Sequence, residues 1–293
     1  MKYILIIVIF SVFLPLSFIS ANRGMMPFNP NAQIFEPNQR AMIAWNGSEE
    51  ILLLSTDLRA SDSTTLLEVL PLPAEPDVKK GDLETFRKAT DLINSKLNTG
   101  RMAKGPMLSE GVVVPSGEVT FHERIGAHDI SVTHLLDAKG FVVWVIDYLK
   151  TLDIEADIVS DDMQQLIEEY ITDGFEWYVF DVISIGKETV TNEPIQYRFE
   201  SKYVFYPLKI TSTAEGSTSI ELMILTPRLL SRFPSLPIDR IHLKHDPISI
   251  SQDELLDLNE DMHELLKEYD RLRLRIWEIQ GDLKAFDSDL LAR

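Results

Sequence analysis

Three histidines, His122, His128 and His134, recur at six-residue intervals through a run of short strand candidates. Three imidazoles brought together by neighbouring strands would suit a zinc ion. Their spacing does not require convergence, however, and His134 shares an alternation face with Ile130 and Val132, where a hydrogen-bonded core histidine is the alternative. His122-Glu123 is followed by no second histidine at helical spacing, so it is not a zinc-protease helix. Asp153, Glu155 and Asp157 alternate as calcium-loop carboxylates do, but Ile158 stands where such a loop needs glycine and Gln164 where it needs glutamate. A solvated acidic loop ahead of a helix is the better reading. The chain contains no cysteine, no Gly-x-Ser-x-Gly elbow and no phosphate-cradling glycine loop. Ser-Lys and carboxylate dyads stay open, because their members can be distant in sequence. The remaining histidines, His242, His245 and His263, form no motif. No catalytic residue, cofactor or metal ligand is therefore assigned.

The elements that must position any site belong to an ordinary globular composition. Of 293 residues 45% are hydrophobic, enough to close a sizeable core. Asp and Glu number 46 against 28 Lys and Arg, a net charge of −18 that opposes nucleic acid and anionic lipid surfaces as partners. Met1 and Lys2 precede an apolar run, Ile4 to Leu14, and a break at Pro15 leads to small residues ending at Ala21. This pattern predicts a secretory signal peptide over residues 1–21, and hence an exported, extracytoplasmic protein, secreted or of the cell envelope. Retention as an anchor is the alternative, and membrane contact is expected only in that case. Without cysteine the exported fold has no disulfides and must rest on burial alone.

Residues 22–34 are short, polar and proline-broken, and read as a flexible leader. Ala41 to Trp45 and Ile51 to Thr56 flank Asn46-Gly47, a hairpin signature that outweighs the glycosylation reading of Asn46-Gly47-Ser48. Thr65 to Leu70 is a strand candidate stopped by Pro71, Pro73 and Pro76. Leu83, Phe86, Ala89, Ile93 and Leu97 recur at helical spacing. Asp137 and Ser160 are placed to cap two further helices, the second ended by Gly174. Phe175 to Ile185, Ile195 to Ile210 and Ser219 to Leu225 resemble an antiparallel meander. Strands and helices that do not alternate regularly predict an α+β fold of mixed or antiparallel sheets with packed helices, over residues 35–248.

Five short motifs fall in a familiar order. They are Ala-Met-Ile-Ala-Trp-Asn-Gly (41–47), Leu-Pro-Leu-Pro-Ala-Glu-Pro (70–76), Gly-Ala-His-Asp-Ile (126–130), Tyr-Ile-Thr-Asp-Gly-Phe (170–175) and Tyr-Pro-Leu-Lys-Ile (206–210). Over residues 35 to 226 the chain resembles the exported family called domain of unknown function 2330. It departs at Leu66-Leu67-Glu68-Val69, where a more aromatic lead-in is the family expectation. The resemblance implies an extracytoplasmic α+β domain and supplies no catalytic residues.

The most regular pattern is C-terminal. Leu255, Leu258, Met262, Leu265, Tyr269, Leu272, Ile276, Ile279, Leu283, Phe286 and Leu290 are spaced alternately three and four apart, and Ser251 with Glu254 forms a capping box. This predicts a long coiled-coil helix over residues 249–293. Its helix–helix interface would comprise Leu258, Met262, Leu265, Tyr269, Leu272, Ile276, Ile279, Leu283 and Phe286. The helix would form a homodimer or dock an envelope protein, with folding back on its own domain as the alternative. The sequence reading is thus a non-catalytic exported binding or structural protein. The competing reading is an extracytoplasmic hydrolase or metal-dependent enzyme built from the His122 to His134 region.

Overall fold

The computed structural model describes residues 24–29, 31–97, 122–154, 158–235 and 239–293. The signal-like segment 1–21 lies outside these residues, as does the acidic stretch Glu155 to Asp157. In chain order the first elements are β1 (Met26–Pro27), β2 (Ile34–Trp45), β3 (Glu49–Ala60), β4 (Thr64–Leu72), β5 (Asp77–Lys80), α1 (Leu83–Leu97), β6 (His122–Ile125), β7 (His128–His134), α2 (Ala138–Thr151) and α3 (Asp161–Thr172). There follow β8 (Trp177–Ile185), β9 (Val190–Thr191), β10 (Ile195–Glu200), β11 (Val204–Tyr206), β12 (Ser217–Thr226), β13 (Ile241–Leu243) and β14 (Ile248–Ile250). The chain ends with α4 (Gln252–Leu258), α5 (Glu260–Leu266), β15 (Leu272–Asp282) and β16 (Leu290–Ala292).

Two sheets pack face to face, each with its outer face covered by helices. The smaller runs β1-β4-β8-β7-β6 and is antiparallel throughout. The larger runs β13-β15-β12-β2-β3-β10-β5, and within it β12 and β2 pair in parallel. Strand alternation assigns each residue its layer. On β8, Tyr178, Phe180 and Val182 pack beneath α2 and α3, while Val179 and Ile183 face the larger sheet. On β12, Ile220, Leu222 and Ile224 face the smaller sheet, and Met223 and Leu225 lie under α1, α4 and α5. Several local signals hold, although β4 continues through Pro71 to Leu72 rather than stopping before the proline. Asn46-Gly47 turns β2 into β3, with Gly47 at φ 112, and Asp137 and Ser160 cap α2 and α3 through the amides of Gly140 and Met163.

The coiled-coil expectation is overturned. The capping box at Ser251 and Glu254 forms, but α4 stops at Leu258, Asn259 leaves helical geometry at φ −163 and caps α5, and α5 stops at Leu266. From Leu272 the chain is a strand lying between β13 and β12 in the larger sheet. Leu258, Met262 and Leu265 face the domain's own core from α4 and α5, and Tyr269 is half-buried with its hydroxyl on the Asn46 carbonyl at 2.8 Å. Leu272, Ile276 and Ile279 are buried in β15, and Leu283 and Phe286 in the turn that follows. The proposed interface is therefore interior, and the dimer or partner-docking role assigned to it falls with it. The physical reason is that β15 is buried on both faces. Leu272, Leu274 and Ile276 fill one side while Trp277 and Ile279 fill the other, and omitting Leu274 and Trp277 leaves a spurious heptad.

Two further expectations change. The leader supplies β1, and Met25, Met26 and Phe28 are buried. The meander does not form: β8 belongs to the smaller sheet, and β10 and β12 are separated by β2 and β3. Among the described residues no helix is long and apolar enough to cross a membrane.

Candidate functional site

The inter-sheet core is divided by a polar pocket. On one side lies the cluster containing Leu54, Ile195 and Tyr197, on the other that containing Leu58, Leu66 and Ile183. Between them the pocket is lined by Glu68, His128, Asp181, Thr56, Asn192 and Glu193. The free space at its centre is about 20 Å³, room for one water.

Strand register places these groups. Glu68 on β4 and Asp181 on β8 are direct cross-strand partners, and both side chains point toward the larger sheet. Such partners hold their Cβ atoms roughly 4.5–5.5 Å apart. His128 on β7 pairs with Ile183, one diagonal step from Asp181, and its Nδ1 lies 2.5 Å from Asp181 Oδ2. The His128 and Asp181 side chains are only 7% and 5% exposed. This hydrogen bond between buried groups holds the imidazole in a single orientation.

The rim is built by the β6–β7 turn and the segment before β10. Gly126 has φ +59, and a Cβ there would overlap the Glu193 carboxylate, so glycine serves both the turn and the approach of Glu193. Glu193 is in turn bridged by Lys80 from β5. Asn192 is 5% exposed; its backbone amide donates to the Thr56 carbonyl at 3.2 Å, while its Nδ2 has no hydrogen-bond partner among the described residues. Behind the sheet, the Tyr148 hydroxyl of α2 donates to Asp129 at 3.1 Å, and burial with the charge of Asp129 raises Tyr148 to about 12.

The histidines do not form a shared metal site. His134 is at the far end of β7, exposed, stacked on Trp177 and 3.0 Å from Glu176. It is six residue steps along the strand from His128, about 20 Å. The core histidine is His128 rather than His134, and the His122 side chain lies outside the described residues. His242 lies on β13, His245 follows it and His263 is on α5. Among the described residues no group of three His, Cys, Asp or Glu side chains has the geometry to hold a metal ion. Sequence reasoning missed Glu68 and Asp181. The signal was present: each is a lone carboxylate inside an otherwise apolar strand, Leu66-Leu67-Glu68-Val69-Leu70 and Val179-Phe180-Asp181-Val182-Ile183.

Fold and site together define an α+β domain of two face-packed sheets enclosing an acidic pocket. The chain belongs to the family described as "Uncharacterized protein conserved in bacteria (DUF2330)", whose model matches residues 19–235. No curated protein matches it. Among solved structures it is similar to the crystal structure of baculovirus P35, at 6% identity and a TM-score of 0.41, over 92% of this chain and 99% of that one. A mutated baculovirus P35 after caspase cleavage is similar at 9% identity and a TM-score of 0.36, over 87% of this chain and 93% of that one. That likeness determines neither a shared fold nor a shared function.

Proposed function

We propose that this protein is exported and that its inter-sheet pocket binds a small protonated amine. The observation that carries the reading is the register pairing of Glu68 and Asp181 on a buried face. Two carboxylates on neighbouring strands give one wall of the pocket an acidic character that favours a cationic ligand. One imidazole, His128, accompanies them, and the described residues that line the pocket include no lysine or arginine. An ammonium group would occupy the central space, donate to the carboxylates and extend toward the Glu193 rim. A hydroxyl on the same ligand would offer Asn192 Nδ2 its acceptor, which favours amino alcohols over simple alkylamines. Export is supported by the charged start, apolar run and small-residue exit of Met1 to Ala21.

The pocket is tested by thermal unfolding with methylamine or ethanolamine against sodium chloride at equal ionic strength. Binding to the folded state raises the melting temperature with amine concentration, and Asp181→Asn abolishes the rise. Equal melting curves in amine and sodium chloride would overturn the proposal. For export, the first residue of the native protein should lie at or near Asn22; an intact Met1 on cytosolic protein would contradict it.

A further inference from the structure

In a chain of net charge −18, arginines gather around one surface without carboxylate partners. Arg273 and Arg275 follow one another on the inter-sheet face of β15, opposite Thr226 and Ile224 of β12. The chain leaving β12 then folds back over them. Arg275 donates through Nη2 to the Thr226 hydroxyl at 2.5 Å and approaches the Arg228 carbonyl at 3.5 Å. Arg232 exchanges backbone hydrogen bonds with Arg293, at 2.5 and 2.7 Å. Arg228, Arg232 and Arg293 are exposed. None of the five makes an ion pair with a described residue, and the Arg293 guanidinium lies over the Tyr203 ring instead.

Arg275 is the anomaly beneath them. It is 4% exposed, its Nε has no hydrogen-bond partner among the described residues, and it feels the like charge of Arg273. A buried cation without a counter-ion is costly, and in a low-dielectric interior its field reaches the surface little screened. Burial and Arg273 together lower its pKa to about 10, so it remains charged at neutral pH. Two apolar side chains interleave with the surface arginines. Leu229 is 55% exposed, and Phe233 is 40% exposed with one face against Trp277 at 5.8 Å. Leu230 between them is buried and pins the loop.

We propose that residues 228–233, with Arg273, Arg275 and Arg293, form a docking surface for an acidic peptide segment of a partner protein, its apolar side chains seated on Leu229 and Phe233. Charge complementarity and the exposed apolar pair favour this occupant. An inorganic anion has nothing to cover Leu229 and Phe233, and the net charge of −18 repels a nucleic acid.

The test is fluorescence anisotropy of a labelled synthetic peptide alternating Glu with Leu and Phe. The wild-type chain should bind it with an affinity that falls with salt. Arg228→Ala with Arg232→Ala should weaken binding on the order of tenfold, and Leu229→Ser with Phe233→Ser comparably. Both double variants replace exposed side chains, so their melting temperatures should match wild type. Absence of binding, or equal binding by the arginine variant, overturns the proposal. Tighter binding of a single-stranded oligonucleotide would reassign the surface to nucleic acid. Sedimentation showing wild-type self-association that the arginine variant loses would make the occupant a second copy of this chain.

Discussion

The Tyr170 hydroxyl donates to Asp289 Oδ1 at 2.8 Å, both groups buried, across 119 residues of sequence. The same oxygen accepts the amides of Leu208 and Lys209, each at 2.8 Å. Lys209 closes the arrangement, with Nζ 5.3 Å from the Tyr170 ring centroid and paired to Glu169 and Asp173. Two of the family-like motifs, Tyr170 to Phe175 and Tyr206 to Ile210, therefore meet on a carboxylate outside the family-matched range of 19–235. Their role here is to join α3 and the segment after β11 to the C-terminal strand.

Replacing Asp289 with Ala leaves three donors without that acceptor, the Tyr170 hydroxyl and Leu208 amide buried and the Lys209 amide partly so. The expected loss is at least about 3 kcal/mol, since each orphaned donor costs roughly 1–3 kcal/mol. Tyr170→Phe removes one donor and leaves the others satisfied, with an expected loss of about 1 kcal/mol. Urea unfolding at neutral pH would distinguish them, and equal losses would show that the amide bonds contribute nothing.

Burial pushes Asp289 up to about 6, against the opposing pull of its hydrogen bonds with Lys209, Tyr170 and Leu208 and of the Lys209 charge. A carboxyl raised above its unfolded value of roughly 3.9 contributes stability fully below that value and loses it as pH rises through about 6. Asp289→Asn keeps an acceptor oxygen and cannot ionise. Its stability relative to wild type should therefore rise between about pH 4 and 6, by on the order of 2–3 kcal/mol, and level off above. A difference independent of pH would refute the assignment.

Glu50 has the same sign. It is completely buried, burial raises it well above the usual range, and the hydrogen bond from the Phe205 amide at 2.8 Å only partly offsets this. Wild type should lose stability as pH rises through the folded-state value. Glu50→Gln retains the acceptor and should flatten that part of the profile, measured as melting temperature from acid to mildly alkaline pH.

Gly126→Ala meets two obstacles, a backbone at φ +59 and the Glu193 carboxylate. A loss of about 1–2 kcal/mol is expected. Glu193 must also move from the pocket rim, so any amine-induced rise in melting temperature should shrink. A variant with wild-type stability and wild-type amine response would show that the turn does not shape the pocket.

The C-terminal correction has its own test. Leu265 and Ile276 are 7% exposed in the core beneath the larger sheet. Leu265→Asp or Ile276→Asp should abolish cooperative unfolding of the whole chain, with a cost of several kcal/mol for an unpaired buried carboxylate. Folded protein of reduced oligomeric size after either substitution would restore the helical interface.

What the sequence determined was local. The Asn46-Gly47 turn, the caps at Asp137, Ser160 and Ser251, and the strand character of Thr65 to Leu70 depend on backbone preferences and short-range hydrogen bonds, so neighbouring residues suffice to read them. The paired sheets, by contrast, depend on contacts between distant segments. Leu272 to Ile279 could be read as helix because its apolar residues serve two cores at once, and only the strands on either side, β12 and β13, make it a strand. The pocket follows the same logic. Glu68, His128 and Asp181 come from three strands well separated in the chain, and their meeting is fixed by the β4–β8–β7 register. A lone acid in an apolar strand can be seen in the chain, but its neighbour is chosen by sheet pairing, where each one-residue shift would turn it to the opposite face.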